Sequence, residues 1–477
     1  MSTEPERQHP NVTLAVLALS ALAFSLLQSL VAPALPAIQH DLSASESGVA
    51  WILTAYLLSA SVATPLIGRL GDIHGKERVL FWVLVALGAG TLVSALATSL
   101  PVLLAGRVIQ GVGGGVFPLA FGIIRDEFPR ERVAGSIGLI SAILGIGGGA
   151  GIVLAGLLVD NLSYHWLFWV PLVAVVVAAV ATALFVPESP IKAPSRINWL
   201  AAALLSAGLA AVLLAISEAP SWGWGSARTI GLTAFGFVVL AIWVWVELRS
   251  RDPLVDMRVM QLPAVWRTNL VAFLLGAGMY SSFILIPQLV ELPKSTGFGF
   301  GASVTAAGLF MVPSTVMMLL AGSFAGRLEA RFGSKPLLTV GAIVTAASFA
   351  VLAFAHDASI DIYLGAALLG LGIGLAFAAL ANLIVEAVPP DQTGVATGVN
   401  TIARSLGGAL GSQIVASILA GSVVGAAALP SESSFTISFA LASGLLAVSA
   451  LFALTIPGRR RPQRASTGEP ATEAGVA

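Results

Sequence analysis

The sequence predicts an all-α integral membrane protein of fourteen transmembrane helices: two six-helix halves, an inserted two-helix hairpin, and both termini cytoplasmic. Three observations carry that reading. Apolar residues make up 57% of the 477-residue chain and charged residues only 10%, too few to cover a water-soluble protein of this size. The apolar residues gather into fourteen continuous stretches, each close to the ~20 residues needed to cross a bilayer. Finally, several segments recur in the same order 258 to 260 positions further along.

The spans fall at 12–34, 48–68, 79–98, 101–124, 134–159, 165–187, 197–217, 228–248, 265–290, 302–325, 336–355, 360–386, 394–421 and 434–456. Their continuity excludes a transmembrane β-barrel, whose strands would alternate over about ten residues. Connections as short as "ATSLP" (97–101) make neighbouring spans antiparallel. With both ends inside, twenty of the twenty-four Lys and Arg fall on cytoplasmic segments, in keeping with the positive-inside bias. Arg228 and Lys294 lie on outer loops, and Arg107 and Arg404 lie inside spans. The start, "MSTEPERQHPNV", lacks a basic n-region, so the first span is expected to be retained rather than cleaved. The Pro-, Arg- and Ala-rich tail from Pro457 is expected to be disordered.

Zero net charge argues against a nucleic-acid partner. The chain has no cysteine, and its five histidines are scattered, so neither a disulfide nor a metal site is expected. No cofactor is expected either. An integral-membrane enzyme, the rival class, would need converging catalytic groups. The chain has no G-x-S-x-G, no P-loop and no metal cluster.

The repeat defines the domains. "GRLGDIHGKERVL" (68–80) is matched by "GRLEARFGSKPLL" (326–338), "FPRERVAGSIG" (128–138) by "VPPDQTGVATG" (388–398), and the glycines of "GRVIQGVGGG" (106–115) by those of "GAALLGLGIG" (365–374). Residues 12–187 and 265–456 are therefore two related halves. Residues 188–264 form the inserted hairpin with its linkers, and 1–11 and 457–477 are cytoplasmic tails. Two parallel six-helix repeats make an architecture that rocks about a central cavity.

The 68–78 segment is expected to be an inner-gate loop of Gly68, Arg69, Gly71, Asp72, Gly75, Lys76 and Arg78, with Asp126 on the next inner segment. Gly71 and Gly75 allow a tight turn. Asp72 can face Arg69, Lys76, Arg78, Arg125 or Arg130, or the positive end of a helix in the other half. The second copy replaces Asp72 with Ala330 and places Glu329 one position earlier.

These residues resemble the major facilitator superfamily, and its fourteen-helix drug/proton antiporter branch in particular. Gly68, Leu70, Asp72, Gly75 and Lys76 match the family's loop pattern, and "RVIQG" (107–111) is similar to its fourth-helix pattern. "LVDNLSYHWLFWVPL" (158–172) and "SWGWGS" (221–226) resemble signatures of the branch. The resemblance implies an inner latch between Asp72 and the start of span 13. It also implies export of bulky lipophilic compounds by alternating access at the cell membrane. Proton coupling would follow from the branch, with a carrier of lipids or amphiphiles as the alternative. The expected partners are a lipophilic small molecule, protons and the bilayer, and the protein is expected to act as a monomer.

The chain departs from the branch in its acids. Relatives carry an Asp in span 1 where this chain has Leu27, beside Gln28 and Ser29. The fifth-helix antiporter pattern is blurred, with Ile152 at its proline and Ala155 at a glycine. Its packing glycines Gly145, Gly149, Gly151 and Gly156 remain, with Gly147. Asp160, Glu247 and Glu291 are left as candidate proton carriers.

A charge within a span faces a cavity or a partner far more often than lipid. The substrate cavity is therefore expected to hold Arg107, Gln110, Asn400 and Arg404, together with Gln28, Tyr280 and Gln288. Snorkelling to the outer surface is the competing reading for Arg107. Two arginines with no acid at comparable depth tilt the substrate towards an anion or amphiphile.

Overall fold

The computed structural model describes residues 10–189, 197–424 and 429–457. The tails at 1–9 and 458–477 and the linker at 190–196, with Lys192 and Arg196, lie outside the described residues.

Among the described residues fourteen helices are long and apolar enough to cross a membrane. Spans 1–6 are Pro10–Ser29, Trp51–His74, Lys76–Ala95, Leu100–Glu127, Arg130–Val159 and Trp166–Phe185. Spans 7 and 8 are Trp199–Trp222 and Ala227–Arg249. Spans 9–14 are Pro263–Glu291, Thr305–Phe332, Ser334–Phe354, Ser359–Ala387, Pro390–Gly421 and Glu432–Thr455. The one strand pair among the described residues joins Val423–Val424 to Leu429–Pro430, antiparallel.

The boundaries differ most where charge ends an apolar run without ending the helix. The expected loops at 68–78 and 326–338 are largely helical. Span 2 runs through Arg69 and Asp72 to His74, and span 10 through Arg327 and Glu329 to Phe332. A single residue then turns the chain, Gly75 at φ +102° and Gly333 at φ +87°, a conformation that L side chains rarely adopt. Gly71 is therefore no turn residue: it is helical, and its missing Cβ admits Leu119 of span 4. Span 1 stops at Ser29, ahead of the residue-33 proline and short of the expected 34, and a short helix, Leu35–Asp41, follows. Span 4 is interrupted by a 3₁₀ turn at Gly111–Gly115.

Two seams join the first six spans to the last six. Spans 5 and 10 touch along their length, Gly135 at Gly326, Gly138 and Ala142 at Gly322, Gly145 at Met318, Gly149 at Thr315 and Gly156 at Thr305. Gly147 and Gly151 face span 1 instead, where they admit Ser25 and Ser29, and Ser29 Oγ donates to the Gly147 carbonyl at 2.6 Å. The glycines of span 5 thus form two rows, one for each neighbour. Spans 2 and 13 make the second seam, closest at Gly68 and Gly394.

The hairpin of spans 7 and 8 lies over the second seam. Ala201, Ala202, Leu205 and Leu209 share an apolar cluster with Leu66 of span 2 and Val395, Val399, Ile402 and Leu406 of span 13. Trp224 Nε1 donates to Ser417 Oγ at 2.8 Å near the outer end of span 13.

Candidate functional site

The inner end of the span 2–span 13 seam is a buried charge network. The first N–H groups of a helix have no partner inside it and carry partial positive charge. Asp72, fully buried, accepts from Gly394 N and Val395 N at 3.1 Å each, in the first turn of span 13. Glycine at both 68 and 394 makes this approach possible: a Cβ on Gly394 would stand 2.6 Å from the Gly68 carbonyl oxygen.

Lys76, also fully buried, lies 3.6 Å from Asp72 Oδ1 and donates to Asp126 Oδ2 at 2.7 Å. Its methylenes occupy the space left by Gly122. Asp126 Oδ2 also accepts from Ser189 Oγ at 2.6 Å. Arg69 is buried in the same region. Arg78, in the first turn of span 3, shows no bond to this network.

Arg125, which sequence reading named only as a partner for Asp72, instead bonds across the seam. Its guanidinium donates to the Val388 carbonyl at 2.8 Å, the Pro389 carbonyl at 3.3 Å and Thr393 Oγ1 at 2.5 Å. An arginine in the last turn of a span, opposite a repeat copy that ends in Val-Pro-Pro, was the available signal. In the corresponding corner of the other six spans, Glu329 accepts from Asn382 Nδ2, which also donates to the Ala134 carbonyl of span 5 at 3.3 Å.

The two arginines expected in the cavity part company. Arg107 is fully buried among spans 1, 2 and 4 and donates to the carbonyls of Leu27 (3.2 Å) and Ile52 (3.3 Å) and to Gln110 Oε1 (2.7 Å). Its guanidinium also lies 4.1 Å from the Tyr56 ring centroid, a cation–π contact. Gln110 Nε2 passes the chain on to Thr91 at 3.2 Å. Neither Arg107 nor Gln110 lines the cleft, because Tyr56 stands between them and it. Snorkelling to the outer surface is excluded by this burial.

The cleft itself lies where spans 1, 2, 4 and 5 face spans 9 and 13. Its polar lining is Gln28, Tyr56, Ser61, Thr64, Tyr280, Thr401, Arg404 and Ser405. Gln28 Nε2 donates to Tyr280 Oη at 2.8 Å, a bond across the cleft. The Arg404 guanidinium sits 4.8 Å from the Phe377 ring centroid of span 12.

Asn400 is buried beside the cleft and donates to Asn269 Oδ1 of span 9 at 2.9 Å. Gln288 is exposed on span 9 and does not reach the cleft: its position on the helix turns it outward, while Leu285 and Leu289 point in.

Among the candidate acids, Glu247 is buried and accepts from Trp243 Nε1 (3.1 Å), Leu254 N (2.9 Å) and Val255 N (3.3 Å), bonds that anchor the linker to span 9. Glu291 is exposed at the end of its span, and the side chain of Asp160 lies outside the described residues. His356, Asp357 and Glu432 place ligand-type atoms within 4.8 Å of one another near the outer surface. That meeting was not legible in the spacing. Both carboxylates are exposed, and the imidazole Nδ1 is already held by the Leu352 carbonyl at 2.8 Å.

Comparison with known proteins bears on the family and the fold. The chain is 29% identical over 394 residues to the tetracenomycin C resistance and export protein of Streptomyces glaucescens, covering 82% of this chain and 72% of that one. It is 27% identical over 382 residues to the multidrug transporter protein MdtP of Bacillus subtilis, covering 79% and 69%. An uncharacterised transporter of Mycobacterium tuberculosis is 29% identical over 394 residues, covering 81% of this chain, which spans 56% of that relative's length. Among solved structures, the human organic anion transporter MFSD10 superposes with a TM-score of 0.67 at 18% identity, over 94% of this chain and all of the other. The proton:xylose symporter XylE gives the same score at 16% identity, over 94% and 96%. The sequence profile of the Major Facilitator Superfamily matches residues 17–412, and the chain is a multi-pass membrane protein that belongs to that superfamily.

Proposed function

We propose that this protein is a secondary transporter that exports bulky lipophilic compounds by alternating access. The observation that carries the reading is a cleft shared between the first and last six spans, with buried charge bonds closing the seam on its inner side. Rocking of the two sets about the cleft would break the Asp72 and Arg125 bonds and open the site inward. A lining that sets aromatic and aliphatic side chains such as Phe24, Leu57, Phe117 and Leu144 beside polar ones suits an amphiphilic or lipophilic molecule. Relatives named for tetracenomycin C export and multidrug transport support the same direction.

A second reading, a facilitator or lipid carrier without proton antiport, is favoured by one observation. Among the described residues no acid lines the cleft, and Leu27 stands buried in the core where the resemblance led a span 1 carboxylate to be expected. Uptake of a lipophilic fluorescent dye into inverted vesicles, with and without an imposed pH gradient, separates the two. Gradient-dependent accumulation is expected of a proton antiporter, whereas dye movement that ignores the gradient selects the facilitator. Absence of any dye movement removes the export reading.

A further inference from the structure

The cleft contains more hydrogen-bond donors than the protein satisfies. Among the described residues Arg404 is the only charged one in its lining, and no Asp or Glu shares that lining. Among the described residues Arg404 makes no ion pair, and its Nε is buried without a hydrogen-bond partner. The face of Phe377 attracts the guanidinium but accepts no N–H bond in its plane. Tyr56 Oη is likewise buried without a partner. Tyr280 Oη accepts from Gln28, which leaves its own O–H free to donate.

The contrast with Arg107 makes the point sharper. That arginine, fully buried where Arg404 is half-buried, is met by two carbonyls, an amide oxygen and a tyrosine face. Arg404 has only the ring. A half-buried guanidinium whose Nε is shut away without an acceptor is costly at this depth unless something supplies one. Local packing holds it in place: Gly276 of span 9 receives the Arg404 backbone, and Gly408 receives the Tyr280 ring.

We propose that Arg404, flanked by Tyr280 and Tyr56, forms an anion subsite in the cleft that binds the carboxylate or phenolate oxygen of an amphiphilic substrate. This rests on the export reading and narrows its substrate class: the lipophilic body lies among Phe24, Leu57, Phe117 and Leu144 while the anionic end meets Arg404. Cationic amphiphiles are disfavoured because the lining offers them no counter-charge.

The test uses the purified full-length protein in detergent, with energy transfer from its ten tryptophans to three pyrene probes of one shape. These are 1-pyrenebutyrate, its methyl ester, and the corresponding pyrenebutyl-trimethylammonium cation. Pyrenebutyrate is expected to bind about tenfold tighter than the ester, the scale of a charge-assisted hydrogen bond. Arg404→Gln should erase that preference by weakening pyrenebutyrate binding about tenfold, and Arg404→Lys should keep part of it. Equal binding of carboxylate and ester by the native protein, or tightest binding of the cation, overturns the subsite and leaves the export reading standing. If no probe binds, the export reading falls and the subsite with it. Should Arg404→Gln fail to fold, Tyr56→Phe and Tyr280→Phe decide the matter. Each should reduce the carboxylate preference severalfold, and an unchanged preference in both overturns the proposal.

Discussion

Arg107 shows how a charge can be held within a span without serving a substrate. Its donors meet the backbone of the residue at which the resemblance led an acid to be expected: the Leu27 side chain packs in the core while the Leu27 carbonyl accepts from Arg107. The carbonyl of Ile52 and Gln110 complete the shell, and the Tyr56 ring caps it. Replacing the arginine by Met would leave these acceptors buried without a donor, each worth about 1–3 kcal/mol. Arg107→Met should therefore destabilise the protein by about 2–4 kcal/mol, read as a lower melting temperature in detergent. An unchanged melting temperature would mean that the cluster is not structural. The presence of a functional or structural partner for Arg107 was legible, since an arginine in a span needs one. Which partner was not legible, because backbone carbonyls are invisible in a residue pattern. Arg404 lay inside an equally apolar run, and only the packing of Phe377 and Tyr280 around it distinguishes the two.

At the scale of elements, the apolar runs located all fourteen spans but misjudged where several of them end, spans 2 and 10 by whole turns. Charged residues at a membrane edge can stay helical, and beyond Arg69 and Arg327 neither span 2 nor span 10 turns until Gly75 and Gly333. The repeat was legible, and its asymmetry now has a physical account. Asp72, Lys76 and Arg125 correspond to Ala330, Ser334 and Val385 in the later copy. The first copy supplies the charges, and the second supplies the N–H groups and carbonyls around residues 388–395 that receive them. In the later copy Asn382 occupies the position of Gly122 and bonds Glu329, where the first copy leaves room for Lys76. The span 2–span 3 turn can be tested by itself. At φ +102° a Cβ on residue 75 is strained, and it would lie 2.6 Å from Glu77 Oε1. Gly75→Ala should destabilise by about 1–2 kcal/mol and reduce dye transport, because the turn sets Lys76 beside Asp72. Native stability and transport in that variant would show that the turn tolerates a different backbone.

For the whole molecule, the described state is one in which the inner side of both seams is closed. Asp72 contributes two charge-assisted bonds to that closure, and Asn at this position would keep the shape while removing the charge that favours a helix start. A loss of about 2 kcal/mol from the closed state shifts a two-state equilibrium by roughly thirtyfold. Since the chain has no cysteine, introduced pairs report distances without background. One pair, at Glu131 and Arg331, sits exposed on the inner ends of spans 5 and 10, and a second, at Asn161 and Lys294, sits exposed near the outer side. With spin labels at these positions, the native protein should show a short inner distance. Asp72→Asn should move population to a longer inner distance and a shorter outer one, with transport reduced several-fold at unchanged melting temperature. Both changes must appear together, because rigid sets rocking about a central cleft cannot open one side without narrowing the other. If the inner distance lengthens alone, the six-span sets are not rigid and the seam frays locally. If neither distance moves while transport still falls, Asp72 acts on something other than the balance between the two states.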